Sequence, residues 1–291
     1  MEKRISGHTR LFALIGSPVG HSGSPAMYNY AFQKLGIDAA YLAFEVPLDN
    51  VEKGIAALRT LNVGGFNITM PDKREVLKYL DEVSPAAKLI GACNTVAVSD
   101  DGKMTGYNTD GEGFVKNLQQ HGIEVKDQKI VLLGAGGAAT AIAVQTALDG
   151  AKELAIFNIK DEFYANAEET AKKLHEAVPT CKVTVEDLAN EKALEAAIAN
   201  ADILVNATKM GMKPLQEDSL IHPSYLRKDL VVADTVYNPR ETVLIKAAKE
   251  AGCKAAVGGI GMLLWQGVAA FKLFTGQDMP WQEVEKEFFA E

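Results

Sequence analysis

The sequence predicts an α/β protein of two domains, and three observations carry that prediction. Its 291 residues give room for two domains of ordinary size, and 47% hydrophobic with 23% charged residues is the balance of a globular chain. Strand-like and helix-like apolar periodicities alternate from one end to the other. Midway, Ile130–Val131–Leu132–Leu133 runs into Gly134–Ala135–Gly136–Gly137–Ala138–Ala139, the pattern of a buried strand, a glycine turn and a helix start.

In chain order, Leu11–Ile15 reads as strand, Pro25–Leu35 as helix, Ala39–Val46 as strand, Asn50–Leu61 as helix and Gly64–Ile68 as strand. Pro71 suits the first turn of a following helix, where its missing N–H costs nothing, and this would place Lys73 in that turn. An ammonium there faces the positive end of the helix dipole and needs an anionic partner, for which Asp110 is the candidate. Val96–Val98, the turn Asp100–Asp101–Gly102–Lys103, and Met104–Tyr107 read as a hairpin, with helix from Gly111 to His121 after it. A second series follows: strands near 130–133, 153–157, 182–185, 202–206 and 230–235, helices near 138–149, 163–177, 191–199 and 241–251. Parallel neighbours need such crossovers, so a doubly wound parallel sheet is expected. The tail from Gly259 reads as helical, and its apolar face should return to cover the first domain. No internal repeat or long linker interrupts the pattern.

Composition excludes several functions. A net charge of −8 without a Lys/Arg cluster argues against a nucleic-acid surface, leaving small molecules as the expected partners. Cys93, Cys181 and Cys253 are too few and too far apart for a disulfide framework or a metal knuckle, so no metal site is expected. Met1 to Arg10 is polar and lacks the apolar segment of a signal peptide, and a cytoplasmic location is expected. The apolar run Ala255–Phe271 carries Gly258, Gly259, Gly261, Gln266 and Gly267 and falls short of a membrane span.

Gly134–x–Gly136–x–x–Ala139 matches the dinucleotide-binding turn in its required context. The first glycine turns, the second admits a pyrophosphate, the small Ala139 lets helix and strand pack closely, and the helix N-terminus offers N–H groups to phosphate. The predicted strand ends at Asn158, followed by Ile159–Lys160–Asp161. Asp161 lies about 25 residues beyond Gly136, near the spacing of the acid that binds a ribose 2′-hydroxyl. A carboxylate there would repel a 2′-phosphate, and Lys160 is a poor phosphate clamp beside it, so NAD is expected over NADP. Asp161 equally suits a plain helix cap.

Two loop segments carry the remaining chemistry: Gly64–Gly65–Phe66–Asn67–Ile68–Thr69–Met70–Pro71–Asp72–Lys73, and Gly106–Tyr107–Asn108–Thr109–Asp110. Each places a charge where folding alone gives little reason for it, which suggests a Lys73/Asp110 acid–base pair. With these segments, Ser22–Gly23–Ser24–Pro25, Gly91–Ala92–Cys93–Asn94–Thr95, Asn206–Ala207–Thr208, Val236–Tyr237–Asn238–Pro239 and Gly261–Met262–Leu263–Leu264–Trp265–Gln266–Gly267 in order, the chain resembles the shikimate dehydrogenase family over essentially its whole length. The resemblance implies an N-terminal α/β substrate-binding and catalytic domain, residues 1–112 completed by 259–291, and a Rossmann-type dinucleotide-binding domain over 113–258. It implies Lys73 and Asp110 as the catalytic pair, with Ser22, Ser24, Thr69, Asn94, Tyr237 and Gln266 on the substrate. Gly134, Ala135, Gly136, Gly137, Ala138, Asn158, Asp161, Lys209, Val236 and Gly259 would lie along the cofactor. The implied activity is interconversion of shikimate and 3-dehydroshikimate, or quinate and 3-dehydroquinate, within aromatic amino acid biosynthesis or quinate use, by a monomer or homodimer.

Two positions depart from the family pattern. Asn158–Ile159–Lys160–Asp161 replaces an Asn-Arg-Thr type stretch and looks more like the quinate/shikimate branch that accepts NAD. Gly23 stands between the serines where a larger apolar residue is common. Plainer readings accompany the site residues: Ser22 and Ser24 as turn and cap residues, Asn94 as a turn residue, Tyr237 and Gln266 as core residues. Trp265 and Met262 read as packing and His21 as peripheral. The rivals are a folate-linked dehydrogenase, which would lack the paired serines and the Asn94 segment, and a non-catalytic dinucleotide-dependent regulatory protein, against which Lys73 and Asp110 together speak.

Overall fold

The computed structural model describes residues 5–290, so the polar segment starting at Met1 lies partly outside the described residues. The chain divides into two compact units, Met1–Thr109 with Gly267–Glu291, and Asp110–Gln266.

The first unit contains β1 (Arg10–Gly16), α1 (Ser24–Leu35), β2 (Ala39–Glu45), α2 (Val51–Thr60), β3 (Gly65–Ile68), β4 (Glu82–Val83), α3 (Pro85–Ile90), β5 (Thr95–Val98) and β6 (Met104–Tyr107). Its sheet has the order β2-β1-β3-β5-β6-β4. β1 runs parallel to β2 and β3, the strands joined through α1 and α2, whereas β5 is antiparallel to both β3 and β6. Alternation along β1 serves two layers, as the strand period of two requires. Ala13 and Ile15 join Phe66, Ile68 and Val96 in a core with Ile55, Leu58 and Val76. Phe12 instead meets Phe32 and Phe274, with ring centroids 5.3 and 5.4 Å apart.

The second unit contains α4 (Asp110–Gln120), β7 (Lys129–Leu133), α5 (Gly137–Leu148), β8 (Glu153–Asn158), α6 (Tyr164–Ala177), β9 (Lys182–Asp187), α7 (Glu191–Ala199), β10 (Ile203–Asn206), β11 (Val231–Asp234), α8 (Val243–Glu250) and β12 (Ala255–Val257). All neighbours in its sheet, order β12-β11-β10-β7-β8-β9, are parallel. Both faces of such a sheet are covered, and the burial of every residue of β10 and β11 follows. α9 (Ile260–Thr275) and α10 (Trp281–Val284) complete the chain. The part of α9 beyond Gln266 belongs to the first unit, where Phe271 lies parallel to Tyr28 and packs on Phe32. Among the described residues, no helix is long and apolar enough to cross a membrane.

Three expectations change. No α-helix starts at Pro71: residues 71–74 are turns, followed by a 3-10 helix over Glu75–Tyr79. The carbonyl of Lys73, which a helix would give to Leu77 N–H, instead accepts from Cys93 N–H at 2.8 Å, and Leu77 N–H turns to Arg74 O. The helix-dipole argument for Lys73 therefore lapses. The second sheet gains a sixth strand, β12, whose three residues were hidden in the apolar run from Ala255. β4 and α3 had also escaped notice; α3 is one short helix, capped by Ser84 Oγ and closed by Gly91 in the left-handed region.

Leu204 on β10 is fully buried in the second unit's core. Leu204→Ala should lower unfolding free energy by about 2–5 kcal/mol, read from urea denaturation with the slope unchanged.

Candidate active site

In the second unit, strand order reverses between β7 and β10, and the residues expected along a cofactor lie at or after the C-terminal ends of β7, β8, β10, β11 and β12, on both sides of that reversal. Gly134 leaves β7 with φ +108°, a conformation that L side chains rarely adopt. A Cβ there would also stand 2.8 Å from Ala207 O, in the loop after β10, so two conditions require glycine. Gly136 and Gly137 differ: a Cβ on either would meet no atom within 4 Å. Behind them the twelve-residue α5 starts without a side-chain cap, leaving its first amides directed outward. Such a terminus suits a phosphate, and the backbone can approach one closely. Gly259, after β12, is confined: a Cβ would run into Thr235 O.

Asn158 ends β8, and its Nδ2 donates to Asp161 Oδ1 at 2.8 Å. The same oxygen accepts from Phe163 N–H at 2.9 Å. Asp161 thus holds the turn before α6 without capping the helix, whose N-cap is Phe163, and the residue stays exposed. Lys160 pairs with Asp187 at 3.8 Å, and Ile159 is exposed. Lys209 is exposed in the loop after β10, and Val236 follows β11.

These last two loops share one buried acid. Asp234 Oδ1 accepts from Asn206 Nδ2 and Val236 N–H, both at 3.0 Å, while Oδ2 accepts from Thr242 Oγ1 at 2.6 Å. Burial raises the Asp234 carboxyl above its usual range, and the three donors pull it part of the way back. Thr242 also accepts from Ile245 N–H and so caps α8. Sequence reading missed this acid, although an Asp closing an apolar strand is a signal that partners must exist.

In the first unit, Asn67, Asn94, Thr95 and Thr109 are all buried and joined to one another. Asn94 Oδ1 accepts from Thr109 N–H at 2.9 Å and from Thr95 Oγ1 at 2.9 Å, and Asn94 Nδ2 donates to Thr109 Oγ1 at 3.1 Å. The network thereby fixes the residue that precedes Asp110. Lys73 and Asp110 are half-buried, each within its own unit. Ser22 Oγ accepts from Ser24 N–H at 3.2 Å, and neither serine caps α1 through its side chain. Thr69 N–H donates to Ile15 O at 2.9 Å, holding the segment after β3 beside β1. Tyr237 is 48% exposed, which removes it from the core. Gln266 is half-buried with Nε2 donating to Leu263 O.

Residues 14–96 match the shikimate dehydrogenase substrate-binding domain, and residues 259–287 match the shikimate 5'-dehydrogenase C-terminal domain. A shikimate dehydrogenase (NADP(+)) of Streptococcus uberis is 53% identical over 283 residues, 96% of this chain and 95% of the relative. The chain belongs to the shikimate dehydrogenase family. A quinate/shikimate dehydrogenase of Escherichia coli is 46% identical, with 97% of each chain covered. The crystal structure of shikimate 5-dehydrogenase from Listeria monocytogenes, in complex with shikimate and NAD, is 45% identical with a TM-score of 0.96, covering 99% of both chains.

One residue of the family's Asn67–Lys73 segment stands apart. Asp72 is fully buried, and among the described residues neither of its carboxylate oxygens has a hydrogen-bond partner. Burial pushes its carboxyl above the ordinary 3.8. A raised folded-state value means that stability is fully present below the unfolded pKa and declines as pH rises through the folded one. Asp72→Asn removes that decline. The variant should show a higher urea midpoint than the parent near neutral pH, with the gap narrowing as pH falls toward 3.8; a constant gap would refute the titration.

Proposed function

We propose that this chain is an NAD(P)-dependent dehydrogenase that interconverts a ring alcohol carboxylate of the shikimate or quinate type with its ketone. The observation that carries the reading is a pair of hydrogen bonds: Cys93 N–H to Lys73 O at 2.8 Å, and Thr109 N–H to Asn94 Oδ1 at 2.9 Å. Lys73 is thus tied to the residue before Asn94, and Asn94 grips the residue before Asp110. Lys73 and Asn94 thus stand on segments tied together by a hydrogen bond, and fixed placement of this kind supports proton transfer at a hydroxyl.

The residues present fit a nicotinamide dinucleotide. The open glycines Gly136 and Gly137, with Ala135, Ala138 and the uncapped start of α5, would hold the pyrophosphate, after the turn at Gly134. Asn158 and Asp161 would lie along the adenosine side, and Lys209, Val236 and Gly259 along the remainder. When bound, the nicotinamide accepts the hydride from the alcohol carbon or returns it to the ketone. In our reading Lys73 takes the hydroxyl proton during oxidation and returns it to the developing alkoxide during reduction, with Asp110 as its orienting carboxylate. Asn94 and Thr69 hold ring hydroxyls and Gln266 and Tyr237 the remaining polar edge. Ser22 and Ser24 bind the carboxylate: with its Oγ accepting from Ser24 N–H, Ser22 keeps its own O–H to donate.

NAD is the preferred dinucleotide in this proposal. The support is the carboxylate at Asp161, the exposed Ile159 where an arginine would clamp a 2′-phosphate, and the engagement of Lys160 with Asp187. The relatives differ on this point, one named for NADP(+) and another solved with NAD.

Steady-state kinetics with shikimate and quinate, each with NAD and NADP, test the assignment; absence of nicotinamide reduction in all four pairings would overturn it. Lys73→Met should lower kcat by about 10²–10⁴-fold with little change in dinucleotide KM. Replacing Asp161 by Ser together with Ile159 by Arg should move the kcat/KM ratio toward NADP, and an unmoved ratio would remove Asp161 from the cofactor site.

A further inference from the structure

Asn67 lies in the middle of β3, between Phe66 and Ile68, and is 6% exposed. Its carboxamide is oriented by its partners: Nδ2 donates to Asn94 O at 3.2 Å and to Thr95 Oγ1 at 3.0 Å, so Oδ1 must point the other way. There it accepts from the hydroxyl of Tyr41 at 2.7 Å. Thr95 has one hydroxyl proton, which goes on to Asn94 Oδ1 at 2.9 Å. The donors therefore run in one direction, from Tyr41 through Asn67 and Thr95 to Asn94. Reversing the Asn67 amide would set its oxygen against Asn94 O, acceptor against acceptor.

Tyr41 is wholly buried on β2, stacked on Tyr28 with centroids 4.5 Å apart. Tyr28 is itself anchored by donating to Gly267 O. The ring of Tyr41 is thus seated independently of its hydroxyl. Burial, assisted by the neighbouring Tyr28, pushes the Tyr41 phenol well above its ordinary value, so it keeps the proton it donates.

We infer that Tyr41 is a positioning residue for substrate binding, acting through Asn67 and Thr95 to fix the side-chain orientation of Asn94. This rests on the proposed contact of Asn94 with a ring hydroxyl. Networks of this kind couple strongly, because each unsatisfied buried group disturbs the next. Nothing in the order of residues marks Tyr41, which sits 53 positions before Asn94 (94 − 41) in an apolar strand.

The test is a double-mutant cycle on the full chain, with shikimate as varied substrate at saturating dinucleotide. Tyr41→Phe should lower kcat/KM for shikimate about tenfold while leaving dinucleotide KM unchanged, and should cause no additional loss in the Asn94→Ala background. A purely structural role predicts the opposite: unchanged kinetics per folded molecule, or losses that multiply. Thr95→Val breaks the next link and should reproduce the effect if Tyr41→Phe does not fold. Should the parent turn over neither shikimate nor quinate, the functional reading fails separately, and the crystal structure of Tyr41→Phe decides the relay. A displaced Asn94 supports it; an Asn94 that keeps its bond to Thr109 Oγ1 overturns it.

Discussion

The first unit is organised around the need to satisfy a carboxamide placed inside a sheet. Asn67 is a polar residue on a strand buried along its whole length, where an unpaired amide is costly. Its partners come from β2, the turn before β5 and β5 itself, and their own polar groups then require partners in turn. The chain of demands ends at Thr109, the residue before Asp110. Folding that sheet correctly and placing Asn94 are consequently one event: the network that relieves the burial cost also builds the candidate substrate site.

The second unit meets a related constraint at the opposite polarity. The order of strands in its parallel sheet reverses between β7 and β10, and the loops leaving those strands pass so closely that Gly134 has no room for a side chain. The fold fills the space at Gly134 and Gly259 but leaves Gly136 and Gly137 open. Two glycines are explained by packing, and two stand beside open space. Asp234 adds rigidity beneath this surface, tying the loops after β10 and β11 and the start of α8 to one buried carboxylate.

Much of this was legible in the residues. Strands and helices of both series follow periodicity, because each element buries one face or the whole of itself. The glycine turn was recognisable from its flanking strand and helix. The failures are equally specific. Pro71 pointed to a helix on local grounds, but the Lys73 carbonyl is claimed by Cys93 N–H from a distant segment, and no local rule foresees that competitor. β12 was lost because three apolar residues merge with the apolar helix after them. Asp161 suited a helix cap, but its carboxylate bonds the N–H of Phe163, the N-cap residue itself, and so closes the turn before α6 instead.

By itself, the order of residues determined the alternation of elements, the glycine turn and the identities of the chemical groups, since these depend on short-range periodicity and on side-chain type. Tertiary structure decided which groups share a hydrogen bond. That Tyr41 serves Asn67, that the Asp72 carboxylate is buried with no hydrogen-bond partner among the described residues, and that Gly134 faces Ala207 O all depend on tertiary structure rather than on local sequence. Hydrogen bonds act over about 3 Å, and only the completed sheets set distances on that scale.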